Sequence, residues 1–202
     1  MAFRLILSDL GGVVVDFDAD RLVHQVAMLI GQPFDDVQAA VYHKERLLPL
    51  EVGRISPQAY YAGLQAALQL PWTYDQFVRV WNDIFSENRS VVELLQRLAR
   101  SYRVVALTNT NVPHLAHLKA SLPSLAFFSD WVASCDVGLR KPDPAIYRLA
   151  LARAGAKAEE TVYIDDRPEM VEAGRAIGLT AIRCESGAQL ERDLRTAGVV
   201  FK

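Results

Sequence analysis

Asp9 stands at the end of a short apolar run and at the start of a glycine-bearing turn, since Leu10, Gly11 and Gly12 follow it directly. A strand that ended there would present one carboxylate beside free backbone N–H groups. Such an arrangement is typical of phosphoryl transfer, in which the carboxylate acts as the nucleophile. The alternative is a purely structural role, in which Asp9 only caps a turn.

Three more polar clusters follow apolar or helix-linked segments. Thr108 and Asn109 come after a second apolar run, Lys141 lies in an Arg-Lys-Pro-Asp-Pro sequence, and Asp165 and Asp166 end a third run. A lysine supplies a point charge for a phosphoryl group. Carboxylates, with waters and substrate phosphate, are the usual ligands of Mg²⁺. These clusters therefore predict a metal-assisted site for a phosphate ester.

In this order the clusters resemble the haloacid dehalogenase superfamily. The resemblance runs from Leu5 to about Cys184 and includes the linking segments 108–111 and 138–143. It is strongest to the superfamily's phosphatases with a small helical cap, such as the bacterial hexose-1-phosphate phosphatases and the N-terminal phosphatase domain of bifunctional epoxide hydrolases. The motifs are specific for the superfamily and say little about the substrate.

The resemblance implies a role for each cluster. Asp9 would attack phosphorus and carry the phosphoryl group, Lys141 would neutralise the phosphate during catalysis, and Asp165 would support the metal site through contacts behind it. The residues implied in phosphate binding are Leu10, Gly11, Thr108, Asn109 and Lys141. The implied Mg²⁺ ligands are Asp9, the Gly11 carbonyl and Asp166.

Two positions depart from the family pattern. Gly11 stands where the superfamily's phosphatases usually carry a second Asp that acts as general acid and base, a contribution of about 10²–10⁴ in rate. Close look-alikes with Asp-Leu-Gly also lack it and are phosphatases. Met170 stands where relatives often carry Asp or Asn, which predicts a reduced metal affinity.

Two residues are candidates for further roles in this site. His114 lies in the first turn of the helix after Asn111 and is a substitute acid, because histidine titrates near neutral pH. The alternative is a structural or exposed histidine at a helix start. Arg46 is a candidate contact for a sugar hydroxyl or phosphate, with a solvated charge as the alternative.

Apolar runs rich in β-branched residues alternate with helical patterns, which predicts an α/β fold with a doubly wound parallel sheet. The predicted strands are 5–8, 104–107, 131–133, 161–164 and 180–183. Predicted helices in the first half of the chain are 20–30, 35–44, 57–69, 73–85 and 89–100. About ninety residues separate the first two strands, far more than a crossover of roughly a dozen needs. We therefore expect a helical cap over 17–86, inserted in a Rossmann-like core formed by 1–16 and 87–202.

Composition points to a small-molecule partner. The chain has 202 residues, 51% of them hydrophobic, and a formal net charge of −2 with no basic stripe. These features predict no nucleic-acid and no membrane partner. Cys135 and Cys184 are too few for a disulfide framework or a zinc cluster. We expect a cytoplasmic protein that is a monomer or homodimer.

The leading hypothesis is a Mg²⁺-dependent phosphatase of small phosphorylated metabolites, sugar phosphates among them, that works through an aspartyl-phosphate on Asp9. Gly11 and Met170 motivate an alternative, a catalytically weak phosphate-binding or regulatory protein with the same fold. Dehalogenase chemistry shares the Asp nucleophile. Asp165 and Asp166 argue against it, because a halide leaving group has no phosphate charge for a metal to neutralise.

Overall fold

The computed structural model describes residues 2–201 and is built around a parallel sheet. The strands of the described residues are β1 (Leu5–Ser8), β2 (Val15–Phe17), β3 (Phe85–Glu87), β4 (Arg103–Thr108), β5 (Asp130–Ala133), β6 (Thr161–Asp165) and β7 (Thr180–Arg183). Five of them form the parallel sheet, in the order β5-β4-β1-β6-β7, whereas β2 and β3 form a separate antiparallel ribbon. All five predicted strands lie in this sheet, so the doubly wound α/β prediction is confirmed.

Helices cover both faces of the sheet and fill the long insertion. They are α1 (Ala19–Ile30), α2 (Phe34–Val41), α3 (Lys44–Glu51), α4 (Pro57–Leu68), α5 (Tyr74–Asn82), α6 (Arg89–Leu98), α7 (Val112–Ser121), α8 (Ser134–Val137), α9 (Pro144–Ala154), α10 (Pro168–Ala176) and α11 (Gly187–Thr196). None of them, within residues 2–201, is long and apolar enough to cross a bilayer.

The central strand β1 shows why the sheet is covered on both sides. Ile6 packs into one core with Leu94 of α6 and Leu190 of α11, whereas Leu5 and Leu7 pack into a second core on the opposite face. Successive side chains of a strand point to opposite faces. A strand that is buried on both faces is apolar along most of its length. Polar side chains that can reach a ligand are therefore found beyond its end.

The inserted segment has a core of its own. Buried side chains of α1, α4 and α5, among them Val23, Leu64, Phe77 and Trp81, form a third apolar cluster. The insertion connects to the sheet through the β2–β3 ribbon, in which Asp16 lies opposite Ser86. These helices are called the cap below, and its boundaries at 17 and 86 stay a prediction.

The predicted helix boundaries in the cap were wrong in two segments. The predicted helix 73–85 ends at Asn82, and Phe85 begins strand β3. The predicted helix 35–44 ends early, at Val41, because Tyr42 leaves the helix and its hydroxyl donates to the Ala19 carbonyl (2.8 Å). A separate helix, α3, then begins at Lys44 in a segment where no helix was predicted. Tertiary contacts with α1 decide where α2 stops, and periodicity alone does not show them.

Candidate active site

The ends of three adjacent strands meet at one edge of the sheet. Asp9 follows β1, Thr108 ends β4 and Asp165 ends β6, and both outer strands pair with β1. Ligands of open α/β sheets bind beyond the carboxyl ends of the strands. A polar cavity of about 200 Å³ lies there, and its lining includes Asp9, Gly11, Thr108, Asn109, Lys141 and Asp166.

Asp9 is held by hydrogen bonds on both carboxylate oxygens. Oδ1 accepts from the Leu10 N–H (2.8 Å), and Oδ2 lies 2.9 Å from Lys141 Nζ. Burial raises the pKa of Asp9 to about 7, while the Lys141 ammonium acts in the opposite sense. That pKa already includes the effect of Lys141, so the lysine favours the ionised, nucleophilic form of Asp9 against the effect of burial.

Lys141 lies between two carboxylates in the floor of the site. Its side chain is 1% exposed, and Nζ is 2.6 Å from Asp165 Oδ2 as well as close to Asp9. Burial alone would lower the pKa of Lys141, but the two carboxylates raise it above its usual value. The lysine therefore carries a fixed positive charge at the place where a phosphoryl group would meet Asp9.

Asp165 serves the site by holding Lys141. Its Oδ2 accepts hydrogen bonds from Lys141 Nζ and from the Tyr163 hydroxyl, and its Oδ1 accepts from the Arg167 N–H (3.0 Å). The carboxylate is fully buried and both its oxygens are occupied. The supporting role expected for Asp165 at a metal site stays a prediction.

Asn109 holds the Lys141 backbone by a reciprocal pair of hydrogen bonds. Its Nδ2 donates to the Lys141 carbonyl (2.9 Å), and its Oδ1 accepts from the Lys141 N–H (2.8 Å). Sequence reasoning assigned only the Asn109 backbone to phosphate binding and missed this bridge. It also missed Ser134, whose buried hydroxyl accepts from the Thr110 N–H (2.9 Å) and donates to the Thr110 carbonyl (3.1 Å). Both residues fix the loop after β4.

Asp9, Asp165 and Asp166 could hold a cation together, because one carboxylate oxygen of each lies within 4.8 Å of the others. Asp166 Oδ1 is buried and has no hydrogen-bond partner among the described residues, unlike the oxygens of Asp165. An unpaired buried carboxylate oxygen is costly unless a cation or water meets it. The donor set is all oxygen and suits Mg²⁺. Asp166 fits the metal through its Oδ1, and Asp9 fits it by sharing an oxygen that already accepts from the Leu10 N–H or from Lys141. The contribution of the Gly11 carbonyl stays a prediction.

His114 does not suit the role of a substitute acid. Its ring is packed against Trp81 and Phe85, with centroids 4.5 and 4.9 Å away. Asn111 Oδ1 accepts from the His114 N–H (3.0 Å), which turns the Asn111 amide nitrogen toward His114 Nδ1 (3.1 Å). Burial lowers the pKa of His114 to about 3. The imidazole is therefore neutral at physiological pH, and the prediction that it titrates near 6.5 is wrong.

Arg46 does not face the site. Its guanidinium Nη2 donates to the Ala40 carbonyl (2.8 Å) and Nη1 lies 3.5 Å from the Gly63 carbonyl, so it joins α2 to α4 inside the cap. It lines neither the polar cavity nor the cavity beside it. The predicted substrate contact is replaced by a structural one, because the guanidinium donates to carbonyls within the cap.

Glu51, at the end of α3, is the charged cap residue that does line the cleft. Its Oε2 lies 3.1 Å from Nη2 of Arg140, which comes from the core just before Lys141. Burial raises the pKa of Glu51, and Arg140 acts in the opposite sense. The pair ties the cap to the core at the cavity that Lys141 also lines.

Met170 lines the polar cavity together with Asp9 and Asp166, although most of its surface is buried in the core beneath the sheet. The position carries a thioether where relatives often carry Asp or Asn. A lower metal affinity than in relatives stays a prediction.

Comparison with known proteins agrees with this geometry. Residues 3–178 match the model of the haloacid dehalogenase-like hydrolase family, so the chain belongs to that family. A D-ribitol-5-phosphate phosphatase of Bacteroides thetaiotaomicron is 26% identical over 198 residues, covering 94% of this chain and 95% of the relative.

Solved structures of the same family have the same fold. A haloacid dehalogenase family enzyme of B. thetaiotaomicron superposes with a TM-score of 0.85 at 23% identity, over 95% of this chain and all of that one. Its complex with magnesium and inorganic phosphate has a TM-score of 0.82 at 22% identity, covering 92% and 96% of the two chains. A family hydrolase of Porphyromonas gingivalis is 28% identical, with a TM-score of 0.81 over 96% and 99%.

Proposed function

We propose that this chain is a Mg²⁺-dependent phosphatase of small phosphorylated metabolites, and that Asp9 forms an aspartyl-phosphate during turnover. The observation that carries the proposal is the position of Lys141 Nζ, 2.9 Å from Asp9 and 2.6 Å from Asp165. A nucleophilic carboxylate and a buried ammonium at the same point suit a dianionic ester. The named relative with near-complete coverage is also a phosphatase of a small phosphate ester.

The first half-reaction uses residues already in place. The phosphoryl group binds between Lys141, Thr108 and the backbone of the turn after Asp9, and an Asp9 oxygen forms a bond to phosphorus. The bond from phosphorus to the alcohol oxygen breaks, and the alcohol leaves with a proton from water or from its own hydroxyls. Asp9 and Asp166 would hold Mg²⁺, which would supply the charge neutralisation that lets a carboxylate approach a phosphate dianion.

The second half-reaction restores the enzyme. Water adds to phosphorus, the bond to Asp9 breaks, and inorganic phosphate leaves together with a proton that returns to solvent. Gly11 provides no side chain to take that proton. Hydrolysis of the phosphorylated Asp9 is therefore the slower half, and the phosphoenzyme accumulates.

Replacing Asp9 by Asn tests the proposal. The amide keeps the shape of the side chain but is a poor nucleophile, so Mg²⁺-dependent phosphate release falls to background while the far-UV spectrum is retained. Intact-protein mass spectrometry of the quenched wild type should show one added phosphoryl group, absent from Asp9→Asn. Turnover by the variant in a clean preparation would falsify the covalent mechanism. A wild type that binds phosphate but hydrolyses no ester would support the regulatory alternative, which Gly11 motivates.

A further inference from the structure

A second cavity adjoins the polar one and has a different character. It has a volume of about 180 Å³ and lies between the cap and α7. Gly11, Phe17, Glu51, Thr108 and Asn109 line both cavities, so the two share one wall. An ester whose phosphate is held at Lys141 has its alcohol part beside this wall.

The remaining walls of the second cavity are mostly apolar and aromatic. Leu47 and Trp81 come from the cap, Phe85 from the ribbon and Leu118 from α7. The neutral His114 ring lies against Trp81 and Phe85 and adds a third aromatic surface. Aromatic rings pack well edge to face, so such walls favour an aromatic ligand.

Several polar groups of these walls are already engaged within the protein, although His114 Nε2 is buried and has no hydrogen-bond partner among the described residues. The Tyr42 hydroxyl donates to the Ala19 carbonyl, Glu51 pairs with Arg140, and the Asn111 amide is bonded to the N–H and ring of His114. A polyol placed here would lose its water and find few free partners, which is unfavourable for most of its hydroxyls.

Volume limits the ligand to about one ring. An engineered apolar cavity of about 150 Å³ in another protein binds benzene. At about 180 Å³ this cavity is slightly larger. Where the ring carries the ester oxygen directly, the ester also suits Gly11, because a phenol is a good leaving group and needs less help from a general acid.

We infer that this cavity is the leaving-group subsite and that the preferred substrates are monophosphate esters of compact, single-ring aromatic alcohols. The inference rests on the proposed phosphatase function and narrows its substrate class. It favours an apolar alcohol over the sugars considered from the sequence.

The test compares benzyl phosphate with glycerol 3-phosphate, using the full chain with Mg²⁺. Both esters release primary alcohols, so the comparison reports mainly on the alcohol's binding surroundings. We expect kcat/KM for benzyl phosphate to be higher by at least about 10-fold. Equal values, or a preference for the glycerol ester, would overturn the inference and leave the phosphatase function standing. Absence of turnover of every ester tried would overturn both.

A matched pair of leucine variants tests whether the preference for the benzyl ester arises in this cavity. Leu47→Gln puts an amide into the cavity wall and should bring the benzyl-to-glycerol ratio of kcat/KM toward one. Leu29→Gln, at a cap side chain that is 45% exposed, should leave the ratio unchanged. An unaltered ratio in Leu47→Gln would place the ring elsewhere.

Inhibition of the wild type keeps the inference testable if Leu47→Gln does not fold. Benzylphosphonate should compete with substrate more tightly than methylphosphonate, again by at least about 10-fold. Equal inhibition by the two phosphonates would mean that the cavity does not receive the ring.

Discussion

The carboxylate of Asp166 lies against the backbone of Gly12, so closely that a Cβ on Gly12 would stand 2.5 Å from Asp166 Cγ and 3.0 Å from Oδ1. Gly12 also has a φ of 74°, which glycine adopts readily. The turn after the nucleophile therefore has no room for a side chain, because a residue that fits the metal occupies that room.

Gly12→Ala should weaken the metal site by turning the Asp166 carboxylate away. We expect the Mg²⁺ concentration for half-maximal activity to rise about 10-fold, the usual effect of disturbing contacts to a metal ligand. Gly155→Ala is the matched control, since Gly155 has a φ of 60° but nothing within 4 Å of the added Cβ. The control shares the backbone strain and should keep the wild-type Mg²⁺ dependence. The same rise in both variants would assign the effect to strain.

Lys141→Met should cost both stability and activity. It leaves the buried Asp9 and Asp165 carboxylates without their shared cation, which destabilises by about 3–5 kcal/mol. Loss of the charge should also lower turnover by at least about 10²–10³. Urea unfolding and steady-state kinetics measure the two effects.

Adding Asp165→Asn to Lys141→Met separates these two contributions. The double variant removes one of the unpaired charges and should recover part of the unfolding free energy without recovering turnover. A double variant as unstable as Lys141→Met would mean that packing, and not charge, makes Lys141 necessary.

Gly11→Asp alone should add little activity, because a Cβ at Gly11 would lie 3.2 Å from the Phe17 ring. Combined with Phe17→Ala, the new carboxyl has space to act as an acid and should raise turnover of glycerol 3-phosphate by up to about 10²-fold. Gly11→Asn with Phe17→Ala is the control of equal size without a carboxyl group. Equal rates in the two double variants would exclude proton transfer at this position.

His114 should make the fold sensitive to acid. Its pKa is about 3 in the folded state, against about 6.5 in an unfolded chain. Between these values the unfolded state binds more protons, so the stabilising contribution is present above pH 6.5 and is lost as the pH falls toward 3. The unfolding free energy should therefore decrease by about 1 kcal/mol per pH unit from this group alone.

His114→Gln should flatten that dependence in urea unfolding at pH 7, 6, 5 and 4. His24→Gln, at an exposed position on α1, is the control and should keep the wild-type slope. Identical slopes in wild type and His114→Gln would show that other groups cause the acid sensitivity.

The sequence predicted the sheet and the residues at its edge because both follow from local rules. Strands covered on both faces are continuous apolar runs, and the polar residues that end them, such as Asp9 and Asp165, stand out. Glu51 and Arg140 did not stand out. They meet across 89 residues, at a place set by the packing of the cap on the core. The ribbon was missed because β2 and β3 are three residues each and pair over the whole insertion.

His114 and Arg46 were predicted as site residues, and the structure assigns them other contacts. Each carries a side chain able to do chemistry, and each lies in a segment near the cleft. What decides their roles is the direction of the side chain, which the surrounding rings and carbonyls fix. Residue type and spacing show which chemistry a side chain is capable of. Whether it can reach a ligand depends on its burial and its contacts, which the sequence pattern does not show.

Asp16 and Ser86 stand opposite each other in the ribbon, beside the two predicted boundaries between core and cap, so they offer a pair of splice points. A cap grafted from another family member at these two residues would bring its own walls around the alcohol and leave Asp9, Lys141 and Asp166 where they are. We expect such a chimera to have the substrate preference of the protein that donated the cap and to keep the phosphate chemistry of this chain. The ribbon would thus allow the segment that binds the alcohol to be exchanged independently of the residues that react with the phosphate.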